Sequence, residues 1–334
     1  MRVAIVGAGA WGTALARLAA ARAEVRLWAR EPEVVAAVRQ RRENPLFLPG
    51  HALPEAVACT GDLAEALDGA EIVVMAVPSH GYRAVLQSAR PFLPAAAPVI
   101  SVTKGIEQES LKRMTEIVLD ETGRDPGGVG VLTGPNLARE IAAGQPAATV
   151  VATTDPEPGL VVQALLMGPT LRVYTNPDVV GCEAAGALKN VMAIAAGMAA
   201  GLGYGDNSTA ALITRALAEL TRLGVAMGGR PLTFAGLAGM GDLVATCIST
   251  QSRNRQVGVA LGEGRRLEEI TAEMHMVAEG VKTTPAVLAL AARYGIDMPI
   301  AAMVGRVLDE GCNPADMVAG LMGRAATAEL HGIA

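Results

Sequence analysis

An α/β fold, with a doubly wound and mainly parallel sheet, is predicted for the first half of this chain, followed by an all-α second half. Three observations predict it. Short apolar runs alternate with helical patterns up to about residue 176. A glycine-rich turn separates the first of those runs from the first helix. Beyond that point strand signals cease and only helix-period patterns follow. A length of 334 residues suits two domains. No Gly/Ser-rich spacer separates the halves, so the division is placed where the periodicity changes, giving residues 1–176 and 177–334.

Residues 2–6 read as a strand, 10–22 as a helix and 24–28 as a second strand. Residues 71–77 (EIVVMAV), 99–103 and 129–133 are further apolar runs, each followed by turn residues and a helical pattern. Residues 148–152 and 171–174 add later strands. Repeated β-α units of this kind need helices on both sheet faces. After Pro177, residues 178–201, 208–223, 253–261, 267–274, 284–294 and 299–310 read as helices. Residues 314–321 add another, with Asn313 as its cap.

Composition narrows the function classes. Hydrophobic residues make up 51% and charged ones 18%, as in a well-buried globular chain, and with only 3% aromatics the core must be Ala, Val, Leu, Ile and Met. A net charge of −5 argues against nucleic acid as a partner, because no broad basic surface is available to neutralise phosphates. A small anion remains open wherever a few Lys and Arg converge. Cys59, Cys182, Cys247 and Cys312 lie far apart, as do His51, His80, His275 and His331, so neither a disulfide framework nor a metal site is expected. The first strand begins at once without a signal-peptide pattern, and the cytoplasm is the expected compartment. Residues 184–205 carry one charge, Lys189, but are rich in Ala and Gly rather than Leu and Phe. They read as a buried helix rather than a membrane span.

Gly7, Gly9 and Gly12 give the G-x-G-x-x-G spacing, after a strand and at the start of a helix. In that context the first glycine permits the tight turn, the second lets a pyrophosphate approach the backbone, and the third lets helix and strand pack closely. The N–H groups of the helix N-terminus face the phosphates. The expected ligand is NAD or NADP, on a Rossmann-type domain. At the end of the second strand the chain reads Trp28-Ala29-Arg30-Glu31. Ala29 cannot accept from a ribose hydroxyl, whereas Arg30 can pair with a 2′-phosphate, which favours NADP. Glu31 could still reach a ribose, so NAD stays open.

Polar groups stand in several apolar places. On a helix, Lys189 has Ala185, Gly186, Met192 and Ala193 as neighbours, with no local carboxylate to hold it. It either snorkels to water or, if buried at a cleft, becomes a usable general acid/base. Lys104 follows a parallel strand, where open α/β sheets bind ligands, and a solvated loop lysine is the alternative. Asp242 begins a helix and could simply cap it; Thr246, four residues on, shares its face. Ser252, Arg253 and Asn254 form a donor cluster able to grip a phosphate, or an ordinary polar turn.

Taken together, these segments resemble the NAD(P)-dependent glycerol-3-phosphate dehydrogenases, especially the bacterial cytoplasmic type. The likeness runs from Val3 to about Leu321. It is carried by GAGAWGTALA (7–16), SVTKGIE (101–107), LTGPNLARE (132–140), ALKNVMAIAAGMAAGLGYGDN (187–207), LAGMGDLVATC (237–247), SRNRQVG (252–258) and VAEGVKT (277–283). The resemblance implies reversible hydride transfer between dihydroxyacetone phosphate and sn-glycerol 3-phosphate, supplying glycerophospholipid synthesis. It makes Lys189 the acid/base, places Lys104 on both substrate and nicotinamide, and has Asp242 and Thr246 supporting Lys189. Gly134, Asn136, Asn190, Ser252, Arg253 and Asn254 would hold the phosphorylated triose. Ala10, Trp11, Arg30, Ala138, Val277 and Glu279 would contact the cofactor, with Arg253 shared. Asn136 stands where many relatives carry Ser or Thr, and its amide is expected to donate to the substrate. No metal is implied, and a homodimer follows from the resemblance alone.

Three other readings are separable. A β-hydroxyacid or 6-phosphogluconate-type dehydrogenase would leave GDLVATC and SRNRQVG unexplained. A UDP-sugar dehydrogenase would need a nucleophilic cysteine, and neither Cys182 nor Cys247 has a nearby His in sequence. A dinucleotide-sensing regulator would keep Gly7–Gly12 but have no need of Lys189 or Arg253.

Overall fold

The computed structural model describes residues 1–274, 278–326 and 328–329, and these form two compact units. The first comprises Met1–Thr103 and Met114–Val179; the second comprises Lys104–Arg113 and Val180–Ala334. Segment Lys104–Arg113 therefore counts with the second unit, which a single division at residue 176 does not anticipate.

The first unit is built on an eight-stranded sheet, β1 (Arg2–Val6), β2 (Glu24–Trp28), β3 (Val57–Thr60), β4 (Ile72–Met75), β5 (Val99–Ser101), β6 (Val129–Thr133), β7 (Ala147–Thr153) and β8 (Leu171–Asn176). Its order is β3-β2-β1-β4-β5-β6-β7-β8. All neighbours pair in parallel except β6 and β7, which are antiparallel. The chain order reverses at β1, whose neighbours are β2 and β4, and this crevice is where open α/β sheets take their ligands.

Alternation along each strand builds the two cores. Val3, Ile5, Ile72 and Val74 join the cluster on one face, while Ala4, Val6, Val73 and Met75 join the cluster on the other. Helices α1 (Ala10–Ala19), α2 (Pro32–Arg41) and α7 (Pro156–Leu166) cover the first face. Helices α3 (Leu63–Leu67), α4 (Tyr82–Ala89) and α5 (Met114–Thr122) cover the second. The short α6 (Ala138–Ala142) packs beside α1.

The second unit is helical: α8 (Val179–Gly201), α9 (Asp206–Ala226), α10 (Pro231–Phe234), α11 (Asp242–Ile248), α12 (Arg253–Gly262), α13 (Leu267–Glu273), α14 (Glu279–Tyr294), α15 (Pro299–Glu310) and α16 (Pro314–Met322). Helix α14 starts earlier than the expected residue 284 and carries Pro285 in its interior. Proline at a first helical position is the ordinary signal of a start, and here it lies inside the helix instead. The most apolar window of α8 is 89% buried within protein. A second stretch, Pro231–Ile248, is also long and apolar enough to cross a membrane by composition, and its window is 44% buried.

Candidate functional site

The glycine loop needs each of its three glycines for a different reason. Gly7 has φ +119°, and a Cβ there would stand 2.5 Å from the Ala76 carbonyl oxygen at the end of β4. A Cβ on Gly12 would run into the Gly7 carbonyl, so helix and turn pack backbone to backbone. Gly9 differs: nothing lies within 4 Å of a Cβ built on it. Gly9 is also the N-cap of α1 and makes no side-chain cap. The first-turn N–H groups of α1, from Ala10 onward, carry a partial positive charge at this end of the helix. Trp11 packs with Ala138 against Ala14, Leu48 and Ala142, and its buried indole Nε1 has no hydrogen-bond partner among the described residues. A turn without room for a side chain at Gly7 or Gly12, with open space at Gly9 beside a helix N-terminus, fits a pyrophosphate.

At the end of β2, Ala29 is buried while the Arg30 side chain is 79% exposed. The guanidinium lies on Glu31, Nη2 to Oε1 at 3.0 Å. The carboxylate able to reach a ribose is thus engaged by the arginine able to reach a phosphate.

After β6, Gly134 adopts φ +130°. Asn136 Nδ2 donates to Thr149 Oγ1 at 3.1 Å, and that hydroxyl gives its only proton to the Thr133 carbonyl at 2.7 Å. The Asn136 amide is therefore oriented with one N–H on Thr149, and its buried Oδ1 has no partner among the described residues. Nδ2 carries a second proton, so the expected donation to a ligand is compatible with this orientation, and Oδ1 adds an acceptor beside it.

The second unit assembles the charged residues. Lys189, in the middle of α8, and Asp242, at the start of α11, are only 5% and 2% exposed. Lys189 Nζ lies 2.8 Å from Asp242 Oδ1, and Lys104 Nζ lies 2.6 Å from Oδ2. Lys189 also donates to Thr246 Oγ1, while the Thr246 hydroxyl donates to the Asp242 carbonyl at 2.7 Å. Asp242 makes no helix cap; a π-helical turn over Leu237–Gly241 leads into α11, and the carboxylate serves the two lysines instead. A buried lysine is tolerated in an apolar helix only with such a partner.

Burial pushes the Lys104 ammonium down from its ordinary value of 10.5 to about 8; the nearby Asp242 charge opposes this and the Lys189 charge adds to it. Two ammonium groups on one carboxylate leave an excess positive charge in a largely buried cluster.

An amide chain adjoins this cluster. Asn190 Nδ2 donates to the Lys104 carbonyl at 3.1 Å, Asn254 Nδ2 donates to Asn190 Oδ1 at 3.0 Å, and the Gly280 N–H donates to Asn254 Oδ1 at 2.8 Å. Ser252 caps α12, accepting from the Arg255 N–H at 3.3 Å. Arg253 begins that helix, and burial lowers its guanidinium pKa while the charge of Glu279 raises it. Val277 lies outside the described residues.

Sequence reasoning did not find the ion pair between Arg113 and Glu183, Nη1 to Oε2 at 2.7 Å, which ties the Lys104–Arg113 segment to α8. No local pattern signals a contact between residues so distant in sequence. Burial raises the Cys59 thiol to about 11 and the Cys247 thiol to about 12, which makes both poor nucleophiles. Among the described residues no group of three or more His, Cys, Asp or Glu could hold a metal ion.

Comparison with known proteins covers nearly the whole chain. Residues 2–158 match the family model for the NAD-dependent glycerol-3-phosphate dehydrogenase N-terminus, and residues 178–319 match the model for its C-terminus. A glycerol-3-phosphate dehydrogenase (NAD(P)+) 2 from Sphingopyxis alaskensis is 53% identical over 331 residues, covering 99% of each chain. A glycerol-3-phosphate dehydrogenase (NAD(P)+) from Moorella thermoacetica is 49% identical, covering 98% of each. The crystal structure of glycerol-3-phosphate dehydrogenase from Coxiella burnetii superimposes with a TM-score of 0.93 at 39% identity, covering 97% of this chain and 99% of that one.

Proposed function

We propose a specific reaction for this chain, which belongs to the NAD-dependent glycerol-3-phosphate dehydrogenase family: reversible hydride transfer between dihydroxyacetone phosphate and sn-glycerol 3-phosphate. The observation that carries the reading is the pair of lysines on the single carboxylate of Asp242. A neutral ketone becomes an alkoxide as hydride arrives, and a preorganised excess positive charge stabilises that change more than it stabilises the ground state.

Lys189 has three N–H donors. One is directed to Asp242 and one to Thr246, which leaves a third for the substrate oxygen. In the reductive direction Lys189 gives its proton to that oxygen; in the oxidative direction it takes the proton back. Asp242 and Thr246 fix the direction in which it does so. Lys104 adds positive charge beside the developing alkoxide. Arg253, at the start of α12, binds the phosphate, with Ser252 and Asn254 beside it, and this remote binding orients the reacting carbon.

A nicotinamide dinucleotide supplies the hydride when bound. The residues suited to hold it are Gly7, Gly9, Ala10, Trp11 and Gly12, with Arg30, Ala138, Arg253, Val277 and Glu279. Both NAD and NADP fit the loop, and exposed Arg30 favours NADP. Gly134 and Asn136 complete the substrate contacts, Asn136 through its amide. In this reading residues 1–176 serve the dinucleotide and 177–334 the substrate, the enzyme works in the cytoplasm as a homodimer, and its product feeds glycerophospholipid synthesis. The deciding experiment is oxidation of NADPH and NADH with dihydroxyacetone phosphate, hydroxypyruvate and glyoxylate offered in parallel. Turnover confined to the phosphorylated ketone supports the reading; turnover of the carboxylic acids in its place refutes it.

A further inference from the structure

The Asn190–Asn254 hydrogen bond is the first rung of a longer contact. The two partners are 64 residues apart. The same offset recurs along α8 and α12. A Cβ on Gly258 would strike the Ile194 carbonyl and stand 2.8 Å from Gly197 Cα. One on Gly262 would stand 2.5 Å from the Met198 carbonyl oxygen and 3.0 Å from Gly201 Cα. The clash is reciprocal, since a Cβ on Gly197 would strike the Arg255 carbonyl and one on Gly201 the Val259 carbonyl. Asn254, Gly258 and Gly262 recur every four residues and so line one helix face, and Gly197 and Gly201 share the same spacing on α8.

Gly197 and Gly258, inside their helices, cost about 1 kcal/mol each relative to alanine. What they provide is a backbone-to-backbone approach that no other residue permits. Gly280 adds a third point of contact, because a Cβ there would stand 2.6 Å from the Asn190 carbonyl oxygen.

We infer that Gly197, Gly201, Gly258 and Gly262 are positioning residues: the close helix register they allow closes the Gly280–Asn254–Asn190 amide chain on the Lys104 carbonyl, and so anchors the Lys104–Arg113 segment beside α8. Restoring an ordinary carbon–carbon separation of roughly 3.5–4.0 Å at Gly258 parts the helices by about 1 Å. That displacement carries the 3.0 Å Asn254–Asn190 bond out of hydrogen-bonding range. Lys104 then loses the anchor on its own carbonyl, and a shift of that size in a catalytic group is enough to lose rate by about 100-fold.

The test compares Gly258→Ala and Gly262→Ala with Gly305→Ala. The last is an overpacking control, because a Cβ on Gly305 clashes with the flexible end of the Leu288 side chain, 2.6 Å away, and makes ordinary contact with Thr284. Amide hydrogen exchange in the Lys104–Arg113 segment is read first and does not depend on the assigned reaction. We expect exchange there to quicken by at least about tenfold in Gly258→Ala and about threefold in Gly262→Ala, with Gly305→Ala at the wild-type rate. Turnover of dihydroxyacetone phosphate is read second, and this arm rests on the dehydrogenase reading. We expect kcat to fall at least about tenfold in Gly258→Ala. If Gly258→Ala does not fold, Gly262→Ala against Gly305→Ala decides. Melting temperatures that drop with segment exchange unchanged overturn the inference, as does equal quickening in Gly305→Ala. Inactive wild-type protein would count against the reaction, while the exchange result would still decide the register.

Discussion

Lys104 and Lys189 are held by opposite oxygens of one carboxylate, that of Asp242, at 2.6 and 2.8 Å. The arrangement accounts for a feature of the sequence that is otherwise unfavourable, a lysine without a charged neighbour in the middle of an apolar helix. It also makes the state of Lys104 depend on pH. The folded protein holds this proton to about pH 8, against an ordinary value of 10.5. Below about 8 both folded and unfolded chains are protonated and the full penalty of burying the cation is present. Between about 8 and 10.5 the unfolded chain binds more protons, so this group's contribution to stability rises with pH. Activity runs the other way. kcat/KM should fall as pH rises through about 8, and Lys104→Arg, cationic throughout, should be slower but lack that limb. A pH–rate profile of both proteins checks this; an unchanged limb in the variant would assign it to another group.

The glycine loop gives a contrast between two substitutions. Gly9→Ala places a methyl in open space, so the fold should persist, yet the methyl occupies the approach to the helix N-terminus and should weaken dinucleotide binding by at least about tenfold. Gly7→Ala forces a side chain into positive φ and against the Ala76 carbonyl, and should lower the melting temperature. Fluorescence titration and thermal melts on the two variants separate the effects.

How far these features were legible in the sequence follows from their range. The strand–glycine–helix–strand unit is local, so Gly7, Gly9 and Gly12 and the two flanking strands could be read directly. Asp242 and Thr246 share a helix face at a spacing of four, and their association was readable too. Strand β3 was not: its four residues, Val57–Thr60, are too few to show a period. The antiparallel reversal at β7 leaves no mark in an apolar run. The amide of Asn190 on the Lys104 carbonyl joins residues 86 apart, and only the tertiary fold brings them together. The same holds for Segment Lys104–Arg113, which follows β5 in the chain yet packs with the second unit. The orientation of the Asn136 amide likewise depends on a threonine from the next strand.

Cofactor preference should reside in Arg30. Its exposed guanidinium is available to a 2′-phosphate, so Arg30→Ala should weaken NADPH by about tenfold while leaving NADH within about twofold. Dissociation constants for both dinucleotides check this. An equal loss for the two would place the discrimination elsewhere.

Glu219 offers a stability test away from the reaction. This buried carboxylate on α9 accepts from the Ile300 N–H at 2.8 Å and the Ala301 N–H at 3.3 Å, at the start of α15. Burial raises its pKa from 4.5 to about 7, against the lowering effects of those two N–H groups and of Arg222, with the charge of Asp297 adding to the rise. Between those values the folded state binds more protons than the unfolded, so stability should fall as pH rises across the window. The fall is on the order of 3 kcal/mol. Glu219→Gln cannot ionise and should flatten it. Urea unfolding of both proteins at about pH 5 and about pH 7.5 measures the difference.

In the proposed reaction Lys189, oriented by Asp242 and Thr246, exchanges the proton with the substrate oxygen. The most direct test of this role is Lys189→Ala, assayed for reduction of dihydroxyacetone phosphate alongside the dissociation constant for NADPH. A fall in kcat of at least about 100-fold, with NADPH binding unchanged, is the predicted result. Near-normal turnover in that variant would contradict the account.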